Sequence, residues 1–272
     1  MGSILSYSSE VWGFTKSNEI EKVHLKFCKR ILNVRLNASS AGIYGELSRY
    51  PLYIQRYYRI IKYWCNLKQS NNTIISKLYD IGLSDYFVGR TNWVSNVKKI
   101  LDDYGFSNMF VETNNHVLKL FPKMFKQRVI DCFVQEWQGN VDRSSVLGEY
   151  RLFKQIFEYE KYLNDLPKDL RFYLTRFRIA AHSLRIQTGR YQRNNIPRNE
   201  RFCLYCDKQD IEDTYHFIFI CPRYSSFRRK YIPQLYYIRP SVFNFITLMN
   251  SNDRTTLFNL ATFIKISLTA RI

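Results

Sequence analysis

Three cysteines and a histidine stand in the order Cys203-x2-Cys206-x9-His216-x4-Cys221 within RFCLYCDKQDIEDTYHFIFICPRY, residues 201–224. Three thiolates and one imidazole form a closed tetrahedral set for Zn²⁺. With all four positions filled by protein, none is left open for substrate or water. The predicted cofactor is therefore a structural zinc ion. Cys-x2-Cys suits a tight knuckle whose two sulfurs converge on one ion, and the polar loop DKQDIED returns the chain. TYHFIFIC reads as a short helix that begins at Asp213 or Thr214, carries His216 in its first turn and ends at Cys221, where Pro222 prevents continuation. Phe217, Ile218, Phe219 and Ile220 are expected to shield the ion from water. In comparable small sites the binding energy, on the order of 10 kcal/mol, is folding energy. Without a metal the same cysteines would be ordinary buried apolar groups. His24, His116 and His182 read as packed or exposed histidines outside this set.

Positive charge surrounds the knuckle. Residues 166–238 hold 14 Lys and Arg against 6 Asp and Glu, in a chain with 41 Lys and Arg, 23 Asp and Glu, and a net charge of +18. A field of that sign attracts polyanions, and a guanidinium pairs in a fork with phosphate oxygens and stacks on bases. RNA or DNA is the expected partner, with Arg190, Arg193, Arg198 and Arg201 on the strand backbone and Tyr191 as a stacking residue. The competing reading is that these charges only decorate solvated helix faces. Composition does not choose between RNA and DNA, and it fixes no oligomeric state.

The elements that must position these residues read as mostly α. At 272 residues, 46% hydrophobic and 17% aromatic, the chain can bury a real core. Residues 19–33 predict a helix with Ile20, Val23, Phe27 and Ile31 on its apolar face. A second long helix follows Pro51, with Leu52, Ile54, Tyr58, Ile61 and Trp64 at helical spacing. SNNTI, residues 70–74, reads as a linker. Helical periodicity returns in TNWVSNVKKILDDYGF, in PKMFKQRVIDCFVQEWQGN, in SSVLGEYRLFKQIFEYEKYLND and in PKDLRFYLTRFRIAAHSLRI, the last with Leu170, Leu174, Phe177, Ala181 and Leu184 on one stripe. No apolar run approaches the roughly 18 residues that span a bilayer. The N-terminus lacks a secretory pattern, so Cys28, Cys65 and Cys132 are expected reduced, in apolar helix faces. MGSILS fits an acylation pattern short enough to arise by accident. The expectation is an intracellular chain, in nucleus or cytoplasm, with neither membrane nor small-molecule substrate as partner.

Two blocks carry a resemblance. SSEVWGF with IEKVHLKFCKRILNVRLNASSAGIYGELSRYPL is similar to the thumb-like segment after the polymerase palm of non-LTR (LINE-type) retrotransposon reverse transcriptases. HSLRIQTGRYQRNNIPRNERFCLYC with EDTYHFIFICPRY resembles the terminal Cys-Cys-His-Cys domain of the same proteins. The resemblance implies a helical thumb-like region over 1–69, a helical middle over 70–165, and a basic C-terminal region over 166–272 with a zinc knuckle at 203–221. SYSSEVWG stands where the family reads close to LLYGSEVWG, which implies an open reading frame that begins inside a longer ancestral polyprotein.

Polymerase chemistry needs carboxylates on adjacent strands to hold two Mg²⁺ ions. The nearest candidates, Asp102 and Asp103 in ILDDYGF, follow Ile100 where the family has an aromatic, sit in a helical pattern and have no partner strand before them. The segment SNDRTTLFNLATFIKI offers only Asp253 toward an endonuclease. The expected function is a non-catalytic nucleic-acid-binding remnant of such a reverse transcriptase. The alternative is a zinc-stabilised folded fragment or protein-interaction module.

Overall fold

The computed structural model describes residues 4–192 and 195–271. Among these, regular structure is helical apart from one antiparallel bridge between Phe202 and Ile211. The ten helices of seven residues or more are α1 (Asn18–Ile31), α2 (Ser40–Leu47), α3 (Leu52–Lys68), α4 (Thr73–Phe87), α5 (Trp93–Asp103), α6 (Asn115–Arg143), α7 (Lys168–Arg178), α8 (Ser225–Tyr231), α9 (Val242–Met249) and α10 (Arg254–Thr269). None is long and apolar enough to cross a membrane among the described residues. All six cysteines are free. The chain divides into two compact units, residues 1–25 with 50–136 and residues 26–49 with 137–272, a different partition from three consecutive regions.

The first unit is organised by α3. Tyr53, Ile54, Tyr57, Ile60, Ile61 and Trp64 are buried, and the Trp64 ring stacks on Phe110 and meets Phe121 edge-on. Pro51 occupies the position before the first helical residue and offers no capping side chain. Glu21 of α1 supplies the cap instead, its carboxylate accepting from the backbone N–H of Leu52 (3.0 Å) and Tyr53 (2.9 Å). A negative charge there also suits the helix dipole. Arg56, which by sequence reads as one of the basic residues among the α3 aromatics, is fully buried and donates to the carbonyls of Thr15 and Lys16. On α1 the buried residues are His24, Cys28 and Lys29, followed by Leu32, whereas Val23 and Ile31 are exposed. The buried face is thus rotated from the expected apolar stripe, and it includes Lys29, which donates to the Leu36 carbonyl at 2.6 Å.

Several helix boundaries depart from the sequence reading, among them the start of α4 at Thr73 inside the stretch 70–74 expected as a linker. The long α6 runs through both Pro122 and Gly139. Packing of Leu118, Phe121, Phe125, Val129, Phe133 and Trp137 overrides the local preference to break. The stretch after Gly148 forms only the single turns Tyr150–Phe153 and Tyr162–Asp165. α7 stops at Arg178, because Ala180 takes a left-handed conformation (φ 58°) and the Ala181 N–H closes back onto the Arg176 carbonyl at 2.7 Å. Ala181 therefore lies beyond the helix. Asp102 and Asp103 end helix α5, where Lys98 holds Asp102 in an ion pair.

The second unit is centred on a buried ion pair. Arg178 on α7 meets Glu46 on α2 (Nε to Oε2, 3.0 Å), Glu160 (Nη2 to Oε2, 2.9 Å) and the Met249 carbonyl (2.6 Å). Glu46 also accepts from the Tyr162 hydroxyl at 2.5 Å. Burial works against the Arg178 charge, but the two carboxylates more than offset it and hold the guanidinium protonated. α2 can approach this closely because residue 45 is glycine. A Cβ there would sit 2.5 Å from the Tyr150 hydroxyl and 2.9 Å from the Trp137 ring. α10 packs against α7 and α8 and carries the chain to Arg271.

Two outcomes are expected. Arg178→Met strips Glu46 and Glu160 of their buried partner, further raises a Glu46 carboxyl that burial already pushes up, and should cost about 3–5 kcal/mol in denaturant unfolding. Burial holds His182 down to about 3, so the unfolded chain protonates at pH values where the folded one does not. Stability from this residue is complete above about pH 6.5 and falls by about 1.4 kcal/mol per unit as the pH drops toward 3. His182→Asn keeps an acceptor for the Leu184 N–H and should flatten that limb in a pH series of melts.

Candidate metal centre

The knuckle begins in the short antiparallel pairing that bridges Phe202 and Ile211. The Cys203 N–H donates to the Asp210 carbonyl and the Glu212 N–H to the Arg201 carbonyl, both at 2.9 Å. Between these rungs the chain turns at Cys203–Cys206, and the Tyr205 N–H reaches the Cys203 sulfur at 3.4 Å. Such a contact favours thiolate over thiol. The return strand leads into the helical segment that carries His216. Asp213 starts that segment by accepting from the His216 N–H at 2.8 Å, as the Asp213 or Thr214 reading requires. Residues His216–Ile220 are wound as a π-turn, with the Cys221 N–H bonded to the His216 carbonyl at 2.8 Å. The wider turn delivers Cys221 to the same side as His216, and Pro222 then opens a new one-turn helix.

The four donor atoms lie within 4.8 Å of one another. Cys203 and Cys221 sulfurs are 3.9 Å apart, and Cys206 Sγ lies 3.5 Å from His216 Nε2. Zn–S bonds of about 2.3 Å and Zn–N bonds of about 2.05 Å at the tetrahedral angle give edges of about 3.8 Å and about 3.6 Å. The cluster therefore has the dimensions of a site for one tetrahedral ion and could hold a metal. His216 Nδ1, which has no hydrogen-bond partner, sits 3.5 Å from the Asp210 carboxylate, an arrangement that turns Nε2 toward the sulfurs. Burial pushes the Cys203 and Cys221 thiols up and the His216 imidazole down. Without a cation the thiols are therefore held protonated, and a metal must displace those protons.

Two arginines, Arg228 and Arg271, support the surroundings of the cluster. Arg228 is buried and donates to the carbonyls of Ile218 (2.5 Å) and Cys221 (2.8 Å), closing the end of the ligand helix. Arg271 pairs with the buried Glu212 at 2.9 Å and lies over the Tyr205 ring at 4.5 Å, which ties the knuckle to the end of α10. Glu212 also accepts from the Arg185 N–H at 2.6 Å. Glu149 accepts from both the N–H and the hydroxyl of Thr214, at 3.2 and 2.7 Å. None of these supports stood out beforehand. Arg228 is indistinguishable from Arg229 in a basic run, and Glu212 lies in what reads as a polar loop. Phe217, Ile218 and Phe219 are buried as expected, with the Phe217 ring against Tyr224, Phe177 and Phe263.

The residues expected to touch nucleic acid are not equivalent. Arg198 and Tyr191 are exposed, Tyr191 at 71%. Arg190 is half-buried and donates to the Ser145 hydroxyl and carbonyl. Arg201 is buried, donating to the carbonyls of Ile196 and Ile186 at 2.8 Å each, so its charge packs the knuckle and is withdrawn from any phosphate. Arg193 lies outside the described residues. Lys208, Arg223, Arg229 and Lys230 are further exposed basic groups, and exposed apolar groups on the knuckle are Phe202 (41%) and Leu204 (69%).

Purified protein should contain one zinc per chain by elemental analysis. Cys221→Ser should lose it together with the cooperative melting of the second unit. Because thiol protons leave as the ion enters, apparent affinity should climb steeply from pH 6 to pH 8, by at least tenfold per unit in a chelator competition. Arg228→Met should weaken zinc by about tenfold, since the Ile218 and Cys221 carbonyls lose their donor.

No protein-family model matches the chain, and neither a curated protein nor a solved structure matches it.

Proposed function

We propose that this chain is a zinc-stabilised, non-catalytic nucleic-acid-binding protein, a remnant of a non-LTR retrotransposon reverse transcriptase. The observation that carries the reading is a metal knuckle of tetrahedral dimensions in a chain of net charge +18, with exposed Arg198, Lys208, Arg223, Arg229 and Lys230 in the knuckle and its flanks. Arginine and lysine near a rigid, closed metal site give a fixed array for phosphates, and the closed ligand set gives zinc a structural role. The two sequence blocks that resemble the thumb-like segment and terminal zinc domain supply the origin. RNA and DNA are both within this chemistry.

A second reading rests on α4. None of its residues is buried, and Ile74, Leu78 and Ile81 are exposed at helical spacing. An apolar helix face of this kind is the mark of a protein-interaction module or of a fragment separated from its neighbour.

Fluorescence anisotropy with labelled single-stranded RNA and DNA separates the two. The nucleic-acid reading expects affinity to fall by at least a hundredfold between about 50 and 200 mM salt. Arg198→Ala combined with Arg223→Ala should lower the salt slope by about 2 while zinc content is unchanged. A flat salt profile, or identical slopes, refutes this reading and leaves the interaction module.

A further inference from the structure

Residues 214–252 contain no Asp or Glu, and within them Arg229, Lys230 and Arg239 are exposed. Four apolar side chains of the same stretch, Leu235, Ile238, Val242 and Phe243, are each more than half exposed. They stand on the single turn Gln234–Tyr237, on the link after it and at the start of α9, all within the second unit. Two segments against which this turn and α9 pack, His216–Ile220 and Tyr150–Phe153, bring no carboxylate either, and the latter adds the exposed Arg151.

The exposure of these apolar groups is built into the fold. The Asn244 side-chain amide donates to the carbonyls of Tyr236 (3.2 Å) and Arg239 (3.0 Å), which pins the turn to the start of α9. Ser241 caps that helix by accepting from the Asn244 N–H at 3.0 Å. Pro233 and Pro240 bracket the turn and restrict the backbone on either side of it. One turn further into the helix, Phe245 is buried with its ring against Phe153, Tyr215 and Phe219. Core packing therefore takes Phe245, Leu248 and Met249 from α9 and leaves Val242 and Phe243 outside.

We propose that this face rests on an anionic lipid surface, with Leu235, Ile238, Val242 and Phe243 at the boundary of headgroups and acyl chains and Arg229, Lys230 and Arg239 against the lipid phosphates. Apolar groups gain by leaving water and cations gain in the negative surface potential, so the two signals together hold where either alone is marginal. A second copy of the chain would bring the same cations to the contact. A nucleic-acid strand has phosphates, but Leu235, Ile238 and Val242 give its bases no ring to stack on. A bilayer boundary deforms, so apolar groups carried on two short elements need no matching cleft. The contact is with the surface and is not a span, since no helix among the described residues is long and apolar enough to cross. It departs from the expectation that no membrane is a partner, and it does not depend on the nucleic-acid reading.

The test is co-sedimentation of the full chain with vesicles of phosphatidylcholine alone and of phosphatidylcholine mixed about 3:1 with phosphatidylserine. The wild type should sediment with the anionic vesicles and stay in solution with the neutral ones. Leu235→Ser combined with Phe243→Ser should weaken that binding by about tenfold or more, and Lys230→Gln combined with Arg239→Gln by about as much. The apolar pair changes exposed side chains only, so its melting and its binding to single-stranded RNA should match the wild type. No sedimentation with anionic vesicles overturns the proposal and leaves the face to a protein partner. Sedimentation that the apolar pair leaves unchanged overturns it as well, because charge alone then holds the chain. Equal sedimentation with neutral vesicles overturns the part given to the cations. Loss of RNA binding in the apolar pair assigns the face to nucleic acid, and a wild-type dimer that the pair dissociates assigns it to a second copy; either result overturns the lipid contact. A chain that binds anionic vesicles through these residues but ignores strands supports the lipid contact and refutes the nucleic-acid reading alone.

Discussion

Everything around the knuckle depends on four donor atoms, from Cys203, Cys206, His216 and Cys221, gathered within 4.8 Å. Three sulfurs and a ring nitrogen at that density, three of the four residues buried, make a set that could hold one cation. The rest of the local structure serves that convergence. A two-rung pairing sets the Cys203–Cys206 turn, Asp213 starts the ligand helix, and the π-turn swings Cys221 round to His216. These segments are too short to bury a core of their own. Their stability has to come from what packs against them, and an ion bound at the cluster would add to it.

What packs against them includes arginine beside the aromatic rings around Phe217. Arg201, Arg228 and Arg271 each place a guanidinium against carbonyls or a buried carboxylate. A planar fork of donors can satisfy several orphan backbone acceptors at once, which lysine cannot do as well. The same residue type therefore does two jobs in this region. Buried arginines close the fold of the knuckle, while Arg35, Arg198, Arg223 and Arg229 remain exposed. Deeper in the same unit Arg178 repeats the first job, clamped between Glu46 and Glu160. Net charge of +18 consequently overstates the charge available to a polyanion.

The two units differ in how they are held. The first relies on aromatic packing around Trp64 and on the Glu21 cap of α3. It carries an apolar helix, α4, with no buried residue. The second relies on polar networks around Arg178, Arg228 and Arg271, and it contains the Cys/His cluster. Candidate chemistry and internal polar order thus coincide in one unit, as expected where groups must be held in a fixed geometry.

The sequence alone determined the mostly helical class, the four members of the Cys/His cluster that could hold a metal, the starts of α3 and α7 behind Pro51 and Pro167, and the place of Asp102 and Asp103 on a helix. Each of these follows from spacing or from backbone chemistry that acts within a few residues. Tertiary structure decided the rest. Pro122 and Gly139 sit inside α6 because long-range burial outweighs local propensity. Ala180 ends α7 in a left-handed conformation that no glycine announces. Arg201 turned inward and Arg198 stayed outside, although three residues apart in one basic run, because carbonyls of Ile186 and Ile196 lie within reach of only the first. Local pattern shows which residues can carry charge or bind metal, but whether a charge faces water is set by partners distant in sequence, and only the folded chain brings them together.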